Sequence, residues 1–577
     1  MLGFSGPDCA QLPATTAPTA SVAEGVVPLG VFFDASEIGG MANNDFLNAH
    51  IVWQFGDTGA GTYEPTGKDK NVATGFVAAH VFEQPGTYQV VATVMDTAGT
   101  VIATSPITIT AREFSGESRC VSVAGNFTGA PAGCDTFTTS DIASHLTWLG
   151  GGSNRRLLLR RGEEWNVDTM DIVGDGPSIL GAFGTGAKPR LFGAGVLSIN
   201  GENARVMDIE CSGIILGIGG TNNVVLRAHV HDTQDMDDQA GVGVGMGGHA
   251  VFLADSTVVD TSYFSVYTDG SQVSITGSSV DQIRVATSFI GDPMNSRDIF
   301  ITNNLISASR ANPTTGIKWH SRRGVITDNI LTAGMSRIAL TVDNGETLTP
   351  VDEGLGIVLI ERNLFRLTLA NESDIDRVTS CGVAFTANRY ATIRNNLMRD
   401  MSRAFCNGDE LAPARDISIY NNSAFKGTFQ AINHDEGDFI LLTGNADGLR
   451  VFNNIMYTDN TYAGEPLVRM PGISPDELVG HVEFGNNIFF VASKSLAFGL
   501  HGTGWASLED FQTLGLDTGS RIIDPQYQSV DIDSNDFLML EAGSPAINMG
   551  ADVPVYFDYR QQARDSAIDI SAFEVTH

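Results

Sequence analysis

The chain reads as an all-β protein in which a small β-sandwich precedes a long parallel β-helix, a solenoid of stacked coils. Three observations predict this. Seven segments rhyme: IFITNNLI (299–306), GVITDNIL (324–331), IVLIERNLF (357–365), ATIRNNLM (391–398), ISIYNNSAF (417–425), LRVFNNIM (449–456) and VEFGNNIFF (482–490). Each is an apolar or β-branched strand, one or two polar residues ending in Asn, then further apolar residues, and no repeat holds an amphipathic helix. Outside the repeat, residues 25–111 alternate with a period of two between turn signals.

The corner residues Asn304, Asn329, Asn363, Asn396, Asn422, Asn454 and Asn487 are spaced by 25, 34, 33, 26, 32 and 33. A repeat at this period signals a solenoid. An alternating strand has one buried face. One coil alone cannot bury that face, whereas stacked coils can. Asn tolerates left-handed backbone angles at low cost, so it suits the corner. Asn at matching corners is expected to stack into a ladder, each side chain bonding its neighbour's backbone. The unequal spacing reflects loops of different length, such as 343–354 (DNGETLTPVDEG) and 371–380 (NESDIDRVTS).

Residues 1–24 are rich in Pro, Thr, Ala and Ser and read as a flexible arm. The arm lacks the basic and apolar regions of a signal peptide. Either a signal has been removed, or none was needed, as for virion proteins released by lysis. No stretch is long and apolar enough to span a membrane, so membrane insertion is not expected.

Residues 25–112 carry Trp53-Gln54-Phe55-Gly56-Asp57, His80-Val81-Phe82, Pro85-Gly86-Thr87-Tyr88 and Val94-Met95-Asp96. This segment resembles the PKD domain, an immunoglobulin-like sandwich. It departs at Gln54, where the family usually has Asp. The resemblance implies a spacer or a weak carbohydrate or protein contact, without chemistry.

After a Gly/Ser-rich linker (113–137), TTSDIASHLTWL (138–149) reads as a short helix with Ser140 or Asp141 at its N-cap and apolar residues at 142, 146 and 149. RRLLLRRGEEW (155–165) and GPSILGAFGTGAKPRLFG (176–193) follow. The sequence of helix and strands resembles the opening coil of right-handed parallel β-helices of the pectate-lyase-like superfamily, in which the helix plugs the open end. Physically, an uncapped end would expose apolar side chains and strand edges. The solenoid is expected over 138–520. Residues 521–577 contain Asp524-Pro525-Gln526-Tyr527, Gly543-Ser544-Pro545-Ala546-Ile547-Asn548 and Asp569-Ile570-Ser571-Ala572-Phe573-Glu574. They resemble the C-terminal segment of many extracellular β-helix proteins and read as a closing rung and cap. These resemblances imply architecture rather than chemistry.

With 67 acidic against 34 basic residues, the net charge is −33. Such a surface repels nucleic acid and anionic membranes. It also repels an acidic polysaccharide unless a basic patch or a bound cation intervenes. Of six cysteines, Cys120 and Cys134 flank a short loop and are expected to pair. Cys381 and Cys406 are about one coil apart, with buried free thiols the expectation there and elsewhere. No zinc-type Cys/His spacing is present.

Aligning coils on the strand after the corner places Val266–Asp269 over Ile317–His320, and that over Leu340–Asp343, with a coil at Arg284–Ser288 intervening above. Lys318 and His320 then face outward, Tyr267 and Asp269 lie to one side, Asp343 to the other, and Arg322 and Arg323 just beyond. Polysaccharide lyases on this fold abstract the C5 proton of a uronic acid with such residues, while a cation or Arg neutralises the carboxylate. Lys318 or His320 is the candidate base, Arg322 or Arg323 the carboxylate clamp, and Asp343 the group orienting His320.

Paired carboxylates for glycoside hydrolysis are the second option, from Asp235, Asp237 and Asp238 or from Asp255, Asp269 and Asp343. The acidic loops could instead hold Ca2+ through carboxylate oxygens. His229, His231 and His249 cluster in sequence without metal-site spacing, and GVGVGMGG lacks the Lys of a phosphate loop. The expected role is extracellular binding of a polysaccharide or cell-surface glycan, with lyase-type cleavage. The alternatives are a virion tailspike or fibre, which would be a homotrimer, and a non-catalytic adhesin.

Overall fold

A computed structural model describes residues 18–575 except 39–43, 97–98, 105, 234–239, 262–263, 282, 286–295, 308–315, 320, 333–337, 342–356, 367–380, 387–388, 402, 408–414, 428–438, 443–446, 459–467, 471–477, 492–497 and 501–503. From Glu117 to Thr518 the described residues are wound into a parallel β-helix with strands on three faces, and the expected linker over 113–137 already holds two of those strands, Glu117–Ser122 and Asp135–Thr138. One coil shows the pattern. Ile317–Trp319 belongs to the first face, Arg323–Thr327 to the second and Ile330–Thr332 to the third. Each pairs in parallel with the matching strand of the next coil, Ile338–Thr341, Ile357–Glu361 and Leu364–Arg366. The long strands Ala240–Ala254 and Phe264–Thr276 bend across the first two faces and join them into one sheet.

The interior is a column of aliphatic side chains in register. Leu253 pairs with Ile275, Ile275 with Ile301, Ile301 with Ile326, and Ile326 with Ile360, all fully buried. Burying each is worth about 1.5–3 kcal/mol relative to exposure. The helix Ala143–Gly150 closes the N-terminal end, with Leu146 and Leu149 packed into the same core as Leu157 and Ile172. At its start the Asp141 carboxylate accepts from Ala143 N–H at 3.0 Å.

The corner after the second face uses its two polar residues differently. The first takes the left-handed conformation, at Asn303, Asp328, Arg362, Asn395, Asn421, Asn453 and Asn486. The second points inward and builds the ladder. Asn363 Nδ2 donates to Ile326 O (3.0 Å), Glu361 O (3.2 Å) and Asn396 Oδ1 (3.1 Å), while Asn363 Oδ1 accepts from Asn329 N–H (3.0 Å). The same bonds repeat at Asn329, Asn396, Asn422 and Asn454. Serines extend the ladder beyond both ends: Asn304 Oδ1 accepts from Ser278 N–H, Ser278 Oγ from Ser256 N–H, and Ser520 Oγ from Asn487 N–H.

The N-terminal module is a sandwich of two sheets. Leu29–Asp34 pairs with Val77–Phe82 in one, and Gly86–Met95 with His50–Gln54 and Ile107–Arg112 in the other. Trp53 fills its centre and donates Nε1–H to Gly75 O at 2.9 Å. The sandwich lies flat on the outer surface of the second face. Phe252, Phe300, Val325 and Leu359 leave the solenoid to join the sandwich's own core. Gly30 is required there, because a Cβ would meet the Phe252 ring at 2.4 Å.

Residues 521–577 begin with Arg521–Ile522, the last rung of the third face. The chain then runs back along the outside of the corner. Asn395, Asn421, Asn453 and Asn486 donate through Nδ2 to the carbonyls of Phe557, Asp569, Ala551 and Met549. Cys120 and Cys134 form the expected disulfide. Cys381 and Cys406 are also paired, contrary to the expected free thiols, because parallel pairing of adjacent rungs brings their Cα atoms to 6.0 Å. Cys211 is buried and free.

Candidate functional site

The segment KWHSRR turns a corner, so its basic residues serve two faces. Lys318 lies in the first-face strand Ile317–Trp319, between Ile317 and Trp319, which are buried in the core. Tyr267 alternates in the same way between Val266 and Thr268. Register links them through one intermediate rung: Tyr267 pairs with Arg284, and Arg284 with Lys318. The intervening coil anticipated from the sequence is therefore present, and it places a second cationic residue in the row. On the other side Lys318 pairs with Ala339 and Trp319 with Leu340. That register differs by two residues from the sequence alignment, which set Ile317 beside Leu340. His320 and Asp343 lie outside the described residues.

Asp269 follows Tyr267 on the same outward set and is half-buried. Burial pushes its carboxyl above the usual range. Its Oδ1 atom is buried and has no hydrogen-bond partner among the described residues. Arg322 is held at the corner by its backbone, with N–H donating to Ser296 O and its carbonyl accepting from Ile357 N–H.

Arg323 is not part of this face. It opens the second-face strand and points into the sandwich. Nε donates to Asp298 Oδ1 at 2.5 Å, Nη1 to Ser36 Oγ at 2.8 Å and Nη2 to Asp34 Oδ2 at 2.6 Å. The expectation that Arg323 clamps a substrate carboxylate is corrected: two carboxylates already occupy the guanidinium. Three further cations at the second face are committed likewise. Arg362 bonds Asp328 and Thr74, Arg394 bonds Glu361 and the Ala49 carbonyl, and Arg205 bonds the Pro28 and Val26 carbonyls. Asp255, a candidate for paired-carboxylate chemistry, is bound to Lys70 at 2.6 Å. Asp235, Asp237 and Asp238 lie outside the described residues.

The third face brings together a set that sequence spacing did not single out. Glu210 pairs in register with His229, and His231 follows two residues on, so all three project from the outer surface of adjacent rungs. Their ligand atoms lie within 4.8 Å of one another. His231 Nε2 is 3.2 Å from Glu210 Oε1, and its Nδ1 is 2.8 Å from Asp232 Oδ2. The His229 and His231 rings are 4.5 Å apart. Burial, then the neighbouring His231, lowers the His229 pKa. His249 is elsewhere, bonded to Ser271 Oγ at 2.9 Å. The available signal was His-x-His on a strand, since residues two apart share a face.

Residues 30–109 match the PKD domain family, in agreement with the motifs read from the sequence. No curated protein matches the chain. Among solved structures, a mannuronic acid specific polysaccharide family 6 lyase from human gut microbiota is 13% identical, covers 67% of this chain and 90% of its own, and has a TM-score of 0.45. A family 6 polysaccharide lyase from Pseudopedobacter saltans is 14% identical over 60% of this chain and 90% of its own, with a TM-score of 0.40. A surface adhesin of Streptococcus pneumoniae is 13% identical over 63% and 90%, with a TM-score of 0.31. No described helix is long and apolar enough to cross a membrane.

Proposed function

We propose that the protein binds a uronate-containing polysaccharide along the first face of the solenoid, outside the cell, and cleaves it by β-elimination. The observation that supports this is the register row Tyr267–Arg284–Lys318 on three consecutive rungs. Rungs are about 4.8 Å apart, so the row spans about 10 Å. It puts a phenol and two cationic residue types in line on a chain whose net charge is −33. In such a chain a local run of cations is what allows a polyanion to approach.

In this reading the Lys318 amine removes the C5 proton of a uronate, and the electron pair of that bond forms the C4–C5 double bond. The C4–O bond breaks, and the departing oxygen takes a proton from the Tyr267 hydroxyl. No water is consumed. A cation beside the carboxylate counters the charge that builds on it during proton removal, which lowers the barrier more than it stabilises the ground state. His320, two residues on in the sequence, is the alternative base. Arg323 has no part, being bound to Asp34 and Asp298.

The test is to incubate the full chain with a panel of uronate-containing polysaccharides and weigh the products by mass spectrometry. β-Elimination gives chains ending in an unsaturated uronate, with no added water. Products that have gained water would replace this reading by hydrolysis. Binding without cleavage of any member would leave an adhesin-type role.

A further inference from the structure

The third face carries a cluster that the proposed glycan chemistry does not use. We propose that Glu210, His229 and His231 form a binding site for a zinc-class divalent transition ion, with Asp232 as the residue that orients His231.

The geometry points to a metal for three reasons. First, the donor set is two imidazoles and one carboxylate, a combination that holds zinc with a fourth position left for water or another ligand. Their ligand atoms already lie within 4.8 Å of one another, so rotamer adjustments of the half-buried side chains bring them around a common centre. Second, the donors come from a rigid frame. Glu210–Ser212 and His229–His231 are paired rungs of the third face, and Cys211 and Val230, which separate the outward residues, are fully buried in the core. Third, the supporting shell is present. Asp232 Oδ2 lies 2.8 Å from His231 Nδ1, so Nδ1 carries the proton and Nε2 is turned toward Glu210. A carboxylate behind a ligating imidazole fixes its tautomer and raises its basicity.

His231 Nε2 and Glu210 Oε1 lie 3.2 Å apart, and imidazole and carboxylate ligate in their deprotonated forms, so ion binding competes with protonation. Two cations face the same carboxylate. Arg190 Nε is 3.5 Å from Glu210 Oε1, and Lys188 also acts on it. Arg190 has other partners, Glu164 at 3.4 Å and Ser212 Oγ at 3.0 Å, which keep it when Glu210 turns to the ion.

The experiment uses the untagged full chain, stripped with a chelator, dialysed, and titrated with zinc chloride in a calorimeter. Cobalt(II) titration followed by visible absorption gives a second readout. The expected result is one zinc per chain and a cobalt spectrum of low coordination number. Both are lost in His229→Ala/His231→Ala. Asp232→Asn weakens zinc binding about 10–100-fold, and His249→Ala changes nothing. If the double variant fails to fold, Glu210→Gln serves instead, with an altered cobalt spectrum and weaker binding at unchanged circular dichroism. A wild-type chain that binds no zinc, or a folded double variant that keeps the full stoichiometry, overturns the proposal.

Discussion

Arg323 Nη2 lies 2.6 Å from Asp34 Oδ2, joining the solenoid to the sandwich across 289 residues of sequence. The same guanidinium holds Asp298, so one side chain ties two carboxylates from different modules. Replacing it by Ala removes charge-assisted bonds and leaves Asp298 and Asp34 facing each other. Arg323→Ala is expected to lower stability by about 1–3 kcal/mol while leaving turnover of an active polysaccharide unchanged. Thermal unfolding followed by calorimetry, beside an activity assay, checks both halves. Lost turnover at unchanged melting temperature would return Arg323 to the active face.

The asparagine ladder makes a sharper stability prediction. Asn363 is fully buried, donates three hydrogen bonds and accepts from the coil before it. Asn363→Ala leaves the Asn329 N–H and Asn396 Oδ1 short of partners, at an expected cost of about 2–4 kcal/mol. Asn363→Asp should be at least as harmful, because a carboxylate cannot donate to the Ile326 and Glu361 carbonyls. Urea denaturation distinguishes this from a packing effect, for which the near-isosteric Asp would be tolerated.

Two carboxyls set opposite limbs of the stability profile. Burial would raise Glu361, but Arg362 and Arg394 outweigh it and hold the group at about 2, below its ordinary 4.5. Its stabilising effect is therefore present above pH 4.5 and lost as the pH falls toward 2. Burial pushes Asp517 up to about 7 from 3.8, with Ser520 acting in the other direction. Between those values the folded chain holds a proton that the unfolded chain has released, so stability falls as the pH rises from about 4 to about 7. Asp517→Asn is expected to flatten that neutral limb and raise the melting temperature above pH 7. An unchanged slope would mean that Asp517 is ionised in the fold.

Much of the architecture was legible in the sequence because it is periodic. Asn at 304, 329, 363, 396, 422, 454 and 487 repeats one hydrogen-bonding job, and the Trp53 motif carries the sandwich. Ser256, Ser278 and Ser520 escaped notice because a serine hydroxyl accepts the same N–H without repeating the Asn letter. The docking of the sandwich was not legible either. Arg323, Arg362 and Arg394 meet partners about 290 to 345 residues away, and such contacts leave no local pattern. The candidate face was read in part. Lys318 and Tyr267 do share a row, but a two-residue slip on the Ala339 side displaced the rest of that alignment. Glu210 and His229 were missed because they are neighbours only through coil stacking.

The proposed chemistry turns on Lys318. The most direct measurement is the rate of unsaturated-uronate formation by Lys318→Ala beside wild type, on whichever polysaccharide the wild-type chain cleaves, with melting temperatures recorded in parallel. Removing a positioned base is expected to lower the rate by about 10²–10⁴-fold while the folded coil persists. A Lys318→Ala variant with wild-type turnover would contradict the assignment of the first face as the active one.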